Sequence, residues 1–353
     1  MIDGESLPHL IRLLPKVELH VHLEGSIRPE TLLKLARRRS VNLPADDVDG
    51  LRQWFQFEDF ADFVDIYLTC CRCLRDPEDF QLVAEEFLTE QARQNILYSE
   101  VHFTIGTHLA NGVNGGEVAE ALYETLCGVE STQGVRARLI PDIVRNAGVE
   151  RADETLEWAL ESRHLGVIAL GLSGFEEVLD DPFREHFEVA GQEGLHRVAH
   201  AGEHKGPETI RSALEVCGAE RIGHGIGAVE DPELIETLRS LSVPIEVCPT
   251  SNVRLGAVEN LESHPFDELN EAGLQVTINS DDPPFFETSL SDEYLRLAQV
   301  FGYSIEDLAQ FSWRALDHAF VDSATRAGLV KEYESRLDEL GIKQSRAPIS
   351  VQS

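Results

Sequence analysis

"KVELHVHLEGS", residues 16–26, decides how the rest of the chain is read. Its first seven residues have the β-branched, alternating character of a short strand, and it ends in two histidines, His20 and His22. In a strand, residues i and i+2 share a face and lie roughly 6–7 Å apart, so the two imidazoles can reach one ion together. A lone pair of this kind is often purely structural. Its meaning depends on what the other strands end in.

Seven further β-rich runs follow, at 99–103, 135–141, 167–172, 196–200, 221–224, 244–248 and 275–280, with 17–22 as the first of the eight. Segments of helical periodicity, such as "GPETIRSALEVCG" and "DPELIETLRSL", separate them. Strands alternating with helices predict parallel βα units, and eight of them predict an α/β fold, a (β/α)8 TIM barrel. The interval 23–98 is too long for one crossover and predicts extra helices near 29–39, 58–74 and 78–95. A helical stretch over 304–340 follows the last strand. No repeat or linker divides residues 1–340, which read as one domain; the polar tail from 341 to 353 reads as disordered. An open doubly wound sheet is disfavoured, because its first strand usually runs into a glycine-rich phosphate loop rather than histidines.

The polar residues collect at strand ends. The fifth run ends in "AHAGE", with His200 at its tip and Glu203 in the turn. The sixth ends in "GHG", with His224 between glycines, and the eighth in "NSDDP", with Asp281 and Asp282. In a barrel the C-terminal ends of the strands form the active-site face. Three imidazoles and a carboxylate make a nitrogen and oxygen shell suited to one Zn2+, which would make a water nucleophilic near neutral pH. Glu203 and His224 remain to move protons, and Asp282 to anchor a substrate. The residues alone point to metal-assisted hydrolysis of a small polar molecule.

Composition narrows the partners. The 353 residues carry 63 acidic against 30 basic side chains, a net charge of −33, which argues against nucleic acid or an anionic membrane as partner. A solvated acidic surface explains the charge simply; a salt-rich habitat explains it more specifically. No run approaches 18 apolar residues, and "MIDGESLPHLIRLL" does not read as a secretory signal, so a cytoplasmic location is expected. Six cysteines are too few for a disulfide scaffold, and "CCRC" at 70–73 falls on helical core spacing with Phe60, Phe63 and Tyr67, which favours buried thiols. Oligomeric state is left open.

"HVHLEGS", "HAGE", "RIGHG", "CPTSN" and "NSDDP", in this order from about residue 15 to 320, resemble the adenosine deaminase family of the amidohydrolase superfamily. The resemblance implies a zinc-dependent barrel that hydrolyses the 6-amino group of a purine and releases ammonia. By motif, His20, His22, His200 and Asp281 resemble the ligands of one zinc ion, and Glu203 the acid that protonates purine N1. His224 resembles the residue that orients or deprotonates the attacking water, Asp282 the partner of N7, and Gly174 in "GLSGFEE" the glycine whose N–H faces N3. Where the family usually has aspartate facing the ribose 5′-hydroxyl, this chain has Glu24. Adenosine ranks first as substrate by family frequency, followed by free adenine or a modified nucleoside such as 6-amino-6-deoxyfutalosine. Phe60 and Phe63 read either as a hydrophobic lid over the sugar or as helix core, and Phe285 and Phe286 either as pocket wall or as packing under a loop. Two rivals stand beside this reading. A two-metal amidohydrolase would need a bridging lysine on the fourth strand, and "VIALGLSG" has none. A catalytically silent binding protein would usually have lost a ligand or the proton donor, and here every such position is filled.

Overall fold

The computed structural model describes residues 6–343, so most of the expected disordered tail lies outside the described residues. Eight strands run in chain order around one sheet, each parallel to the next: β1 (Lys16–His22), β2 (Ile96–Phe103), β3 (Arg136–Val144), β4 (Ala169–Ser173), β5 (His196–Ala201), β6 (Arg221–His224), β7 (Pro244–Val247) and β8 (Gln275–Ile278). All eight expected strands are present, and the (β/α)8 barrel is the architecture. Every residue of β1, β2, β4, β6 and β7 is buried, as strands covered on both faces require.

Closure between β8 and β1 is made just past the last strand. Val21 pairs with Asp281 in a parallel bridge. His22 N–H donates to Asp281 O at 2.9 Å, and Asp281 N–H to His20 O at 3.2 Å. Below that bridge, Asn279 Oδ1 accepts from Leu19 N–H at 2.9 Å and from His20 N–H at 3.1 Å. A side-chain amide thus replaces a backbone ladder where the two strands diverge.

The insertion after β1 contains helices Pro29–Arg39, Phe60–Cys71 and Pro77–Arg93 close to their expected places, and a fourth, Val48–Trp54, that periodicity did not reveal. That helix is only seven residues long, capped by Asp47 accepting from Gly50 N–H at 2.7 Å, too short to show a repeat. The expected C-terminal helix is two, Ile305–His318 and Ser323–Glu339, because Asp322 caps a new start. Phe285 and Phe286 are fully buried under the β8 loop, in ring contact with Phe55, Phe57, Phe63 and Tyr67. Five cysteines are buried and Cys127 is exposed. Among the described residues no helix is long and apolar enough to cross a membrane.

Replacing Asn279 by alanine leaves two buried backbone N–H groups without an acceptor. Each costs about 1–3 kcal/mol, so urea unfolding of Asn279→Ala is expected to show a clearly lowered midpoint at unchanged slope. Wild-type stability in that variant would contradict the seam.

Candidate metal centre and active site

At the C-terminal rim of the barrel, five side chains from four places in the chain face one another. His22 Nε2 lies 3.2 Å from His200 Nε2 and 3.2 Å from Asp281 Oδ1. His20 Nε2 lies 3.6 Å from the same Asp281 oxygen. Ligand atoms of His20, His200, His224 and Asp281 all lie within 4.8 Å of one another. All are buried. Asp281 and His224 both sit at positive φ, 63° and 61°, a strained backbone for side-chain-bearing residues that turns each inward at its strand end.

The far nitrogens of His20 and His200 are already committed. His20 Nδ1 is 2.9 Å from Glu246 Oε2, and His200 Nδ1 donates to Leu172 O at 2.9 Å. Both therefore turn Nε2 toward the centre, and His20 Nε2 has no hydrogen-bond partner although it is buried. Ring nitrogens and a carboxylate oxygen crowded at one buried point, one of them without a partner, call for a cation. Two nitrogens about 2.0–2.1 Å from one ion at a tetrahedral angle lie about 3.3 Å apart, which the observed separations match. The donor set fits a divalent ion that accepts nitrogen and oxygen.

Charges are set by burial and by neighbours. Burial alone would raise the pKa of Asp281, but the His20 and His22 rings beside it outweigh burial and hold the carboxyl well below its usual range. Burial also opposes charge on His20, yet Asp281 and Glu246 push its pKa up to about 9, so an ion at Nε2 displaces a proton. Burial, reinforced by the charged rings around it, holds His200 well below its usual value. Burial, then the Asp281 charge, drives Glu203 and Asp282 well above the carboxylate range. Burial brings His224 down to about 3. Burial and neighbours thus push Asp281 in one direction and Glu203 and Asp282 in the other, the kind of separation by which like groups divide acid and acceptor roles.

A cavity of about 740 Å3, counted to its open mouth, opens above this cluster. His22, His200, Glu203, His224, Asp281 and Asp282 form its floor, and Phe60, Phe63, Val64, Tyr67, Leu68 and Leu255 its largely apolar outer wall. Gly174, at φ +90°, lines the cavity. Phe60 and Phe63 stack on each other and border it. Gly25 has no room for a side chain, since a Cβ there would stand 1.7 Å from Asp282 Oδ1. The "LEG" glycine therefore makes space for the Asp282 side chain.

Glu24, expected to meet a substrate, sits behind the cavity wall. Its carboxylate accepts from Thr104 N–H at 2.9 Å, Thr104 Oγ1 at 2.6 Å and Tyr67 Oη at 3.0 Å, with His108 Nε2 at 2.9 Å. It is fully buried behind the wall and does not border the cavity. The extra methylene relative to aspartate carries the carboxyl past the pocket into this nest of donors, leaving Tyr67 and Thr104 as the surface presented inward.

Several residues of the site were not foreseen. Glu246 on β7 bridges His20 and Arg221, whose Nε donates to it at 2.5 Å. Arg221 also donates to Glu100 at 2.5 Å and lies 3.7 Å beneath the Phe320 ring. These partners hold Glu246 ionised: burial would raise its pKa, but Arg221 and His20 bring it down to about 2. Asp142 on β3 pairs with His102 Nδ1 at 2.8 Å and places its other oxygen 4.0 Å from His22 Nδ1. Charged residues inside apolar strand runs, as in "PIEVC" and "LIPDI", were the available signal. Glu246→Gln is expected to weaken metal binding by about 10–100-fold in a chelator competition, because the imidazole loses its anionic partner. Unchanged affinity would show that Glu246 does not tune His20.

The adenosine deaminase family model matches residues 15–335. An aminodeoxyfutalosine deaminase of Streptomyces coelicolor is 38% identical over 325 residues, 91% of this chain and 84% of that protein. An adenine deaminase of the same organism is 39% identical over 327 residues, 91% and 95% of the two chains. The crystal structure of an adenine deaminase from Arthrobacter aurescens superposes with a TM-score of 0.87 at 32% identity, covering 92% of this chain and 99% of the other. With barrel, rim and motifs all accounted for on this pattern, the chain belongs to the adenosine deaminase family and is a hydrolytic deaminase.

Proposed function

We propose that this protein is a zinc-dependent deaminase of a 6-aminopurine that bears no phosphate, converting the amino-bearing carbon to a carbonyl with release of ammonia. The observation that carries this reading is the meeting, on one cavity floor, of Glu203, Asp282, His224, His22, His200 and Asp281, with His20 close behind Asp281. When bound by His20, His22, His200 and Asp281, zinc supplies Lewis acidity and an activated water near neutral pH.

The chain's own groups supply the rest. Asp282 keeps its proton and donates it in a hydrogen bond to N7, fixing the ring. Glu203 delivers its proton to N1, which makes the neighbouring C6 electrophilic. His224 Nε2, 3.6 Å from Glu203 Oε2, holds the attacking oxygen in line with that carbon. Of the two protons brought by water, one finishes on N1 through Glu203 and the other leaves with ammonia.

The wall bears on substrate choice. No lysine or arginine borders the cavity, so a phosphate-bearing purine has no counter-charge there. Adenosine ranked first by family frequency alone, and Glu24, which does not border the cavity, offers it no sugar contact. Free adenine therefore leads, in agreement with the named adenine deaminase relatives. A second reading, a nucleoside with an aryl extension of the aminodeoxyfutalosine type, is favoured by the aromatic outer wall at Phe60 and Phe63.

The ultraviolet change from 6-aminopurine to 6-oxopurine gives a direct assay on adenine, adenosine, aminodeoxyfutalosine and adenosine monophosphate. Adenine or the aryl nucleoside should be turned over fastest and the monophosphate not at all; rapid turnover of the monophosphate would contradict the reading. Glu203→Gln should keep its metal and lose about 10^2–10^4-fold in turnover, since only the donated proton is removed. A near-normal rate would show that another group protonates the ring.

A further inference from the structure

We propose that His264 and Asn252 form a relay that locks the proton of His224 on Nε2, making His224 a permanent hydrogen-bond donor in the site and excluding it from the metal shell. The proposal deepens the deaminase reading and rests on it only for the place of His224 beside the substrate.

The relay starts from a group whose role cannot be exchanged. Phe266 N–H donates to His264 Nδ1 at 3.0 Å, and a backbone N–H can only donate. Pro265 makes this geometry, because it holds His264 extended, at φ −70° and ψ 132°, while the chain turns into the next helix. His264 is 4% exposed, and burial lowers its pKa to about 4, so the ring is neutral with its one proton on Nε2. That proton points at Asn252 Oδ1, 3.2 Å away. The carboxamide is thereby oriented: its oxygen faces His264, and its NH2 faces His224 Nδ1 at 3.1 Å. An NH2 donor requires an unshared pair on Nδ1. The proton of neutral His224 then has only Nε2 to occupy, on the side toward Glu203.

The reverse arrangement would turn the Asn252 oxygen to His224 and its NH2 to the His264 N–H, donor against donor, with both residues buried. The consequence for the site is specific. His224 Nε2 lies as close to His20, His200 and Asp281 as a ligand would, but a nitrogen bearing a proton cannot coordinate. Nor can it accept a proton from the attacking water. Of the two roles the sequence left open for His224, the relay selects orienting and stabilising the oxygen over deprotonating it. Asn252, the last residue of "CPTSN", and His264 are positioning residues in this account.

The test is the ring tautomer itself, read from long-range proton–nitrogen correlations in the full-length, zinc-loaded chain with 15N-labelled histidine. The His224 signals are assigned by their loss in His224→Ala. The expected wild-type pattern has a proton on Nε2 and none on Nδ1, and a proton on Nδ1 would overturn the relay. Asn252→Asp is nearly isosteric and offers acceptors to both neighbours, so it should move the His224 proton to Nδ1. Turnover should then fall about 100-fold, the scale seen when one preorganised donor is lost, with zinc content unchanged and KM within about threefold. A variant with the wild-type tautomer and wild-type rate would also overturn the proposal. Should that variant not fold, the wild-type spectrum decides alone. That spectrum does not depend on deaminase activity, so a failure of the functional reading is told apart from a failure of the relay.

Discussion

The parallel bridge between Val21 and Asp281 closes the barrel and builds the ion site in one act. Its two hydrogen bonds run from His22 N–H to Asp281 O and from Asp281 N–H to His20 O, so the residues that seal the sheet are also candidate ligands. Asp281 can make both contacts only at φ 63°, which lifts its carboxylate inward rather than along the strand. His200 arrives from the opposite side of the barrel on β5, and Gly223 beside it leaves the space its neighbour His20 needs: a Cβ there would stand 2.7 Å from the His20 ring. Metal affinity and barrel closure are therefore coupled, and loss of either is expected to weaken the other.

Packing five imidazoles and several carboxyls into a dry rim is costly unless each polar atom has a defined partner. The chain answers with anions and carbonyls placed behind the rings. Glu246, itself held by Arg221, steadies His20; Leu172 O steadies His200; Asn252 steadies His224. The atoms left without partners, including His20 Nε2, Glu203 Oε1 and Asp282 Oδ1, lie where an ion and a purine would supply them. Burial does the remaining work by keeping protons on Glu203 and Asp282. The same environment that would destabilise an empty site prepares it for acid catalysis.

Much of this was legible before any coordinates. Strand order, barrel class and the rim residues follow from histidines and acids placed at the ends of β-rich runs, because strand tips converge in a barrel. What could not be read was anything depending on side-chain reach. Glu24 looked like a sugar contact by its position, but its longer side chain carries the carboxyl into the Thr104, Tyr67 and His108 nest. Asn252 and His264 stand 12 residues apart, and only the folding of the intervening loop brings their side chains together. Glu246, Asp142 and His102 were visible as polar interruptions in apolar strands, yet their partners lie on other strands and no local spacing announces them.

Zinc-edge X-ray absorption on the zinc-loaded chain tests the convergence of His20, His22, His200 and Asp281 most directly. The account predicts one ion per chain with nitrogen and oxygen neighbours only, about 2.0–2.2 Å away, and outer scattering from three imidazoles. A sulfur neighbour near 2.3 Å, a second metal scatterer, or fewer than three imidazoles would contradict it.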